Sequence, residues 1–167
     1  MEKVIVKALL VDTASNAPVV LLEGSSSKKV MPIWIGQNEA IAISLKLQGK
    51  DFERPLTHDL LKSVLDKLDQ KLEQVVIDNL EENTYYATLM ISSNDGESTE
   101  IDSRPSDSIA LALRTGSPIY VDDEIFDEVA MESPFDEEIE DETDEEFENF
   151  LEQNMDLKKF KEFTEDN

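Results

Sequence analysis

The spacing of apolar and polar residues changes several times along the chain, and each change marks an element. Residues 3–11 (KVIVKALLV) and 18–23 (PVVLLE) are short apolar runs rich in β-branched side chains. With turn-forming residues from Asp12 to Asn16 between them, they predict the two strands of a hairpin. Lys29 to Ile35 predicts a third strand, in which Pro32 points to a sheet edge or a bulge because it cannot donate to a ladder. Gly36 breaks that run. Asn38 to Gln48 predicts a helix that is apolar on more than one side, hence deeply buried, with Gly49 ending it. Thr57 is the expected cap of the next helix, His58 to Lys71. There Leu60, Leu61, Val64, Leu65 and Leu68 fall on one side at i, i+3/i+4 spacing, a stripe of the kind that faces a core.

The second half returns to strand spacing. Gln74 to Leu80 and Thr84 to Ser92 predict a hairpin across the polar turn Glu81-Glu82-Asn83, and Asn94-Asp95-Gly96 marks another turn before a strand from Glu97 to Ser103. Ser106 or Asp107 is the expected cap of a very apolar helix reaching Arg114, closed by Gly116. A short buried strand, Pro118 to Val121, and a short helix, Glu124 to Met131, follow. Frequent hairpins without strict β–α alternation predict an α+β fold: a mixed, largely antiparallel sheet with helices packed on it. Trp34 and one of Tyr85 and Tyr86 are expected in the core, with base stacking as the alternative role.

Charge divides the chain. Residues 1–121 hold 12 basic and 18 acidic groups, whereas residues 122–167 hold 3 basic and 21 acidic. The expected organisation is therefore one domain over residues 1–131 and an acidic, partly disordered or helical tail over 132–167. Within the tail, Phe147, Phe150, Leu151 and Met155 recur at helical spacing, as in a segment that docks against something. The net-negative core argues against broad nonspecific binding to nucleic acid by phosphate neutralisation, while leaving room for a small local basic site or a bound divalent cation. No cysteine is present, which excludes disulfides and thiolate chemistry. The N-terminal residues lack the pattern of a signal peptide, and no apolar run approaches the roughly 20 residues of a membrane span. The expectation is a cytoplasmic protein without a membrane partner.

The candidate chemistry lies in two stretches of like grammar, Arg54-Pro55-Leu56-Thr57-His58-Asp59 and Asp102-Ser103-Arg104-Pro105-Ser106-Asp107. Each sets Arg-Pro and a hydroxyl residue before an apolar helix. Proline holds the preceding Arg extended, so a guanidinium is aimed near helix N–H groups that favour anions. The stretches lie 50 residues apart, but their flanks do not otherwise match. There is no Gly-rich phosphate loop, no Cys/His zinc spacing and no nucleophile elbow, and a single histidine excludes a multi-histidine metal site within one subunit.

Five ordered motifs carry a resemblance: Pro32-Ile33-Trp34-Ile35-Gly36, Glu39-Ala40, Arg54 to Leu60, Thr84-Tyr85-Tyr86-Ala87 and Asp102 to Asp107. Over residues 1–125 the chain resembles the bifunctional nuclease family. The resemblance implies an α+β domain that assembles into homo-oligomers, with a dimer favoured, and that hydrolyses both DNA and RNA with low sequence specificity. Some members carry a further C-terminal module of the excision-repair type, which this tail does not resemble.

Mapped onto those positions, phosphodiester hydrolysis assigns His58, Asp59, Arg104 and Asp107 to catalysis, His58 as general base. Arg54, Arg104, Thr57 and Ser106 are the candidates for phosphate binding. In a metal-assisted reaction Glu39, Asp102 and Asp107 would hold Mg²⁺ or Mn²⁺. Each has a plainer role: Asp59 and Asp107 as helix-start carboxylates, Arg104 paired with Asp102 or Asp107, Arg54 with Glu53 or Asp51, Glu39 as a first-turn acid. The rival reading is a non-catalytic, oligomeric binding or regulatory domain recognising an anionic ligand or a protein partner at the same place.

Overall fold

The computed structural model describes residues 1–12, 14–50 and 52–133. Seven strands form one sheet: β1 (Glu2–Asp12), β2 (Ala17–Gly24), β3 (Val30–Trp34), β4 (Gln70–Glu81), β5 (Thr84–Ser93), β6 (Ser98–Ser103) and β7 (Ile119–Val121). Four helices accompany them: α1 (Gln37–Leu47), α2 (Thr57–Lys67), α3 (Pro105–Thr115) and α4 (Asp123–Val129). The strand order β3-β2-β1-β7-β4-β5-β6 sets two antiparallel meanders side by side. The late strand β7 joins them, antiparallel to β1 and parallel to β4. The fold is the mixed α+β arrangement that the pattern predicts. Each meander feeds a helix, β3 into α1 and β6 into α3, so a β–β–β–α unit occurs twice. Arg104-Pro105 opens the second such helix, but Arg54-Pro55 lies in the loop before the intervening α2 and so has no equivalent place.

Local chemistry explains most boundaries. Glu82 and Asn83 both have positive φ, at 46° and 62°, which gives the two-residue turn between β4 and β5 the twist of a tight hairpin. Pro32 sits on β3 at the sheet edge, where its missing N–H leaves no ladder bond unmade. Met131 bridges to Val30 on that same edge. Pro105 opens α3 at a position whose N–H has no helical partner, with Arg104 as the N-cap, so neither Ser106 nor Asp107 caps it. Gly116 closes α3 with φ 75°.

The principal correction concerns α2. Thr57 is its first residue and Leu56 its N-cap; Asp59 does the capping, accepting from the Leu56 N–H at 3.0 Å. The helix ends at Lys67 instead of Lys71, because Asp69 turns the chain at φ 54° and β4 begins at Gln70, pairing with Ser93. Its rotation also differs from the expectation. His58, Asp59, Lys62 and Leu65 are its less exposed positions, while Leu60, Leu61, Val64 and Leu68 are 55%, 40%, 42% and 64% exposed. Hydrogen bonds and an ion pair from His58 and Asp59 to α3, described below, hold the polar side inward, so the apolar stripe faces out. Trp34 is likewise exposed instead of core, with its Nε1–H donating to Asp12 Oδ2 at 3.2 Å. Tyr86 is exposed and Tyr85 half-buried.

The core lies between the sheet and α1 and α3. Val20, Leu22, Met31, Ile43, Val75, Ile77, Ile109, Leu111 and Val121 are almost wholly buried. The expected burial of α1 is found at Ala40, Ala42, Ile43 and Leu45, but Leu47 emerges at its end. Residues 134–167, which carry Phe147, Phe150, Leu151 and Met155, lie outside the described residues, as does Asp51. Among the described residues no helix is long and apolar enough to cross a membrane.

Candidate functional site

The first turns of α1, α2 and α3 meet on one side of the molecule, and each brings an acid at the third helical position: Glu39, Asp59 and Asp107. Helix N-termini present free N–H groups and positive dipole ends. Carboxylates in all three first turns offset that field, and cations tie the acids together.

Arg104 stands at the centre. Its Nε donates to Asp107 Oδ2 and its NH2 group to Glu39 Oε1, both at 2.8 Å. The two acids hold the guanidinium pKa above its ordinary value, through the Asp107 bond first and the Glu39 bond second. The Arg104 side chain is still 66% exposed. Glu39 is fixed from behind, since its carboxylate lies where a Cβ on Gly36 would project, so any larger residue at 36 displaces it. That contact gives the Gly36 and Glu39 motifs one physical reason.

Asp107 is shared. Its second oxygen, Oδ1, lies 3.0 Å from His58 Nε2. Burial pushes the Asp107 carboxyl up, but the Arg104 and His58 bonds outweigh it and leave its pKa below the ordinary value. His58 is buried at 8% exposure. A carboxylate on Nε2 favours the tautomer with Nε2–H donating, which leaves Nδ1 with its lone pair free of any partner among the described residues.

A second ion pair lies beneath. Asp59 Oδ1 accepts from Arg114 Nε at 2.5 Å, and Arg114 also donates to the carbonyls of Ala110 and Ala42. The Arg114 side chain is only 4% exposed. Burial raises the Asp59 pKa, but the Arg114 and Leu56 N–H bonds bring it net below the ordinary value. Arg114 therefore ties α1, α2 and α3 together at one guanidinium. It is a positioning residue that the sequence reading took only for the end of a helix. A cation in the last turn of an almost wholly apolar helix was the available signal.

The structure brings together Glu39, His58, Arg104 and Asp107, and places Asp59 behind them on Arg114. Ser106 is buried in the first turn of α3 and Thr57 exposed in that of α2. Arg54 is exposed in the loop before α2, outside this network. Asp102 is exposed on β6 opposite Thr88, also outside it. Of the expected metal ligands, Glu39 and Asp107 face each other across the Arg104 guanidinium, which fills the place of a cation. Among the described residues no three His, Asp or Glu side chains group as a metal cage. As arranged, the donor set fits a guanidinium and not a divalent ion.

At converging helix starts the α+β domain thus carries a histidine–carboxylate pair beside an exposed arginine. The chain belongs to the bifunctional nuclease domain family, whose model matches residues 19–134. An uncharacterized protein of Mycobacterium tuberculosis is 40% identical over 163 residues, covering 98% of this chain and 93% of its own length. Bifunctional nuclease 1 of Arabidopsis thaliana is 26% identical over 114 residues, and Bifunctional nuclease 1 of Oryza sativa subsp. indica 26% over 112. Those matches cover 67% and 66% of this chain but only 35% and 34% of the plant proteins. The match to the mycobacterial protein therefore runs into the acidic tail, which the family match leaves out beyond residue 134.

Proposed function

We propose that this domain hydrolyses phosphodiester bonds of DNA and RNA with low sequence specificity, at the site where α1, α2 and α3 begin. The family supports a nuclease-type function, and the His58–Asp107 pair beside an exposed arginine is the observation that carries the assignment to this site. Asp107 orients His58 through Nε2, and Nδ1 takes the proton of an attacking water. The water oxygen bonds to phosphorus, the bond to the leaving sugar oxygen breaks, and that oxygen takes a proton from bulk water while His58 later returns its own to solvent. Arg104 and Arg54 bind the non-bridging oxygens and offset their growing charge. Thr57 and helix N–H groups add weaker contacts. Metal assistance by Mg²⁺ or Mn²⁺ requires Arg104 to leave Glu39 and Asp107, so it is a distinct route with a distinct signature. We read the protein as a cytoplasmic homo-oligomer, dimeric by preference; light scattering of the purified chain tests the oligomeric part.

The test is cleavage of single-stranded DNA and RNA by highly purified protein in Mg²⁺, Mn²⁺ or EDTA, beside identically prepared His58→Ala and Asp107→Asn. Activity in EDTA that both substitutions abolish supports the metal-free route. Activity that EDTA removes moves the mechanism to a metal that displaces Arg104. Equal activity in all three proteins places the chemistry elsewhere.

The second reading is a non-catalytic module for an anionic ligand or protein partner; two carboxylates already compensate Arg104, which counts against its role in offsetting charge during catalysis. No cleavage by any sample, with retained binding of oligonucleotide or polyphosphate at low salt, would establish it.

A further inference from the structure

Among the described residues the largest run of exposed apolar side chains is the outer stripe of α2, Leu60, Leu61 and Val64, continued by Leu68 at its C-cap. Isolated exposed apolar residues need no explanation, but a contiguous stripe on a surface helix marks a contact. We infer that the stripe is the docking site of the chain's own C-terminal segment, residues 147–163. This goes beyond the nuclease reading and does not depend on it.

Three observations select that occupant. The first is pattern. Phe147, Phe150 and Leu151 recur at i, i+3 and i+4, with Met155, Phe160 and Phe163 further on, in a region otherwise dominated by acids. Such a segment has apolar side chains to bury. The second is charge. Residues 46–71 hold six of the chain's 15 basic groups against five acids, and residues 134–167 hold 15 acids against three lysines. Two of those five acids are already paired, Asp59 with Arg114 and Asp66 with Lys62. α2 thus sits in a slightly net-positive stretch of a strongly acidic chain, which favours contact with the tail. The third is reach. The described chain ends just beyond Met131, on the outer edge of β3, four strands from β4, against which α2 packs. That separation is about 19 Å at ordinary strand spacing. Residues 134–146 span up to about 45 Å when extended, enough to cross it. The match to the mycobacterial relative covers 98% of this chain and so extends beyond the domain into the tail.

The absence of cysteine makes the test clean. Leu61→Cys and Phe150→Cys are combined in the full chain, with Ile101→Cys and Phe150→Cys as the control pair; Ile101 is equally exposed, on β6. Under mild oxidation the 61–150 disulfide is expected within single chains, at least ten-fold faster than the 101–150 control, as read by non-reducing mass spectrometry. Hydrogen exchange gives a second readout on the cysteine-free protein. The double variant Phe147→Asp and Phe150→Asp is expected to speed exchange in residues 57–68 at least five-fold and to leave β4 and β5 unchanged. Equal rates for both pairs, or unchanged exchange in α2, would overturn the proposal. So would 61–61 or 61–150 links between two chains, which would assign the stripe to a second copy.

Discussion

His58 Nε2 and Asp107 Oδ1 lie 3.0 Å apart and join the first turns of two helices whose residues are separated by 49 positions. The contact fixes which ring nitrogen of His58 carries the hydrogen, because a carboxylate can only accept. Asp107→Asn keeps the shape but lets the amide donate to the ring and reverse the tautomer. The proposed route then expects cleavage to fall about 100-fold or more, with thermal stability lowered by only about 1 kcal/mol. Paired rate and melting measurements separate the two effects; a proportionate loss of both would make Asp107 purely structural.

Arg114 is expected to matter more for stability than Arg104. Arg114→Met keeps the apolar stem but leaves Asp59 without its cation and two carbonyls without a donor. A loss of about 2–3 kcal/mol follows, allowing for the partial exposure of Asp59. Arg104→Met removes an exposed cation and should cost about 1 kcal/mol or less. Denaturant midpoints of the two variants test the order.

Acid should weaken the helix junction. The Asp59 and Asp107 pKa values are lowered in the folded protein, so the unfolded chain binds protons first as pH falls. The stability these groups contribute is complete above their unfolded pKa, near 4, and is lost as pH falls through the lower folded values. Unfolding curves from pH 6 to 2.5 should show that loss in the wild type. The Asp59→Asn, Asp107→Asn double variant should show a smaller change over the same interval.

Ser108 is wholly buried in α3, and its Oγ has no hydrogen-bond partner among the described residues. Burying an unsatisfied hydroxyl is costly, and alanine is the better helix former. Ser108→Ala is expected to raise stability by about 1 kcal/mol. A fall in melting temperature would show that the hydroxyl has a partner, such as a buried water.

The strand pattern was legible because a hairpin is specified by neighbours: β-branched runs, turn residues and the edge proline. The same local signals placed α1, α3 and the Arg-Pro helix starts within a few residues, and the ordered motifs identified the family. Two features were not local. The stripe of α2 satisfies helical periodicity, but periodicity does not say which side faces in. His58 and Asp59 decided that by bonding to Asp107 and Arg114, and burying those polar groups unpaired would cost more than exposing leucines. The pairing of Glu39 with Arg104 spans 65 positions and exists only because β3 and β6 deliver their helices side by side. Sequence by itself determined the elements, the family and the residue types of the site. Tertiary structure alone decided which charges meet, because ion pairs at helix starts depend on distances that no spacing along the chain encodes.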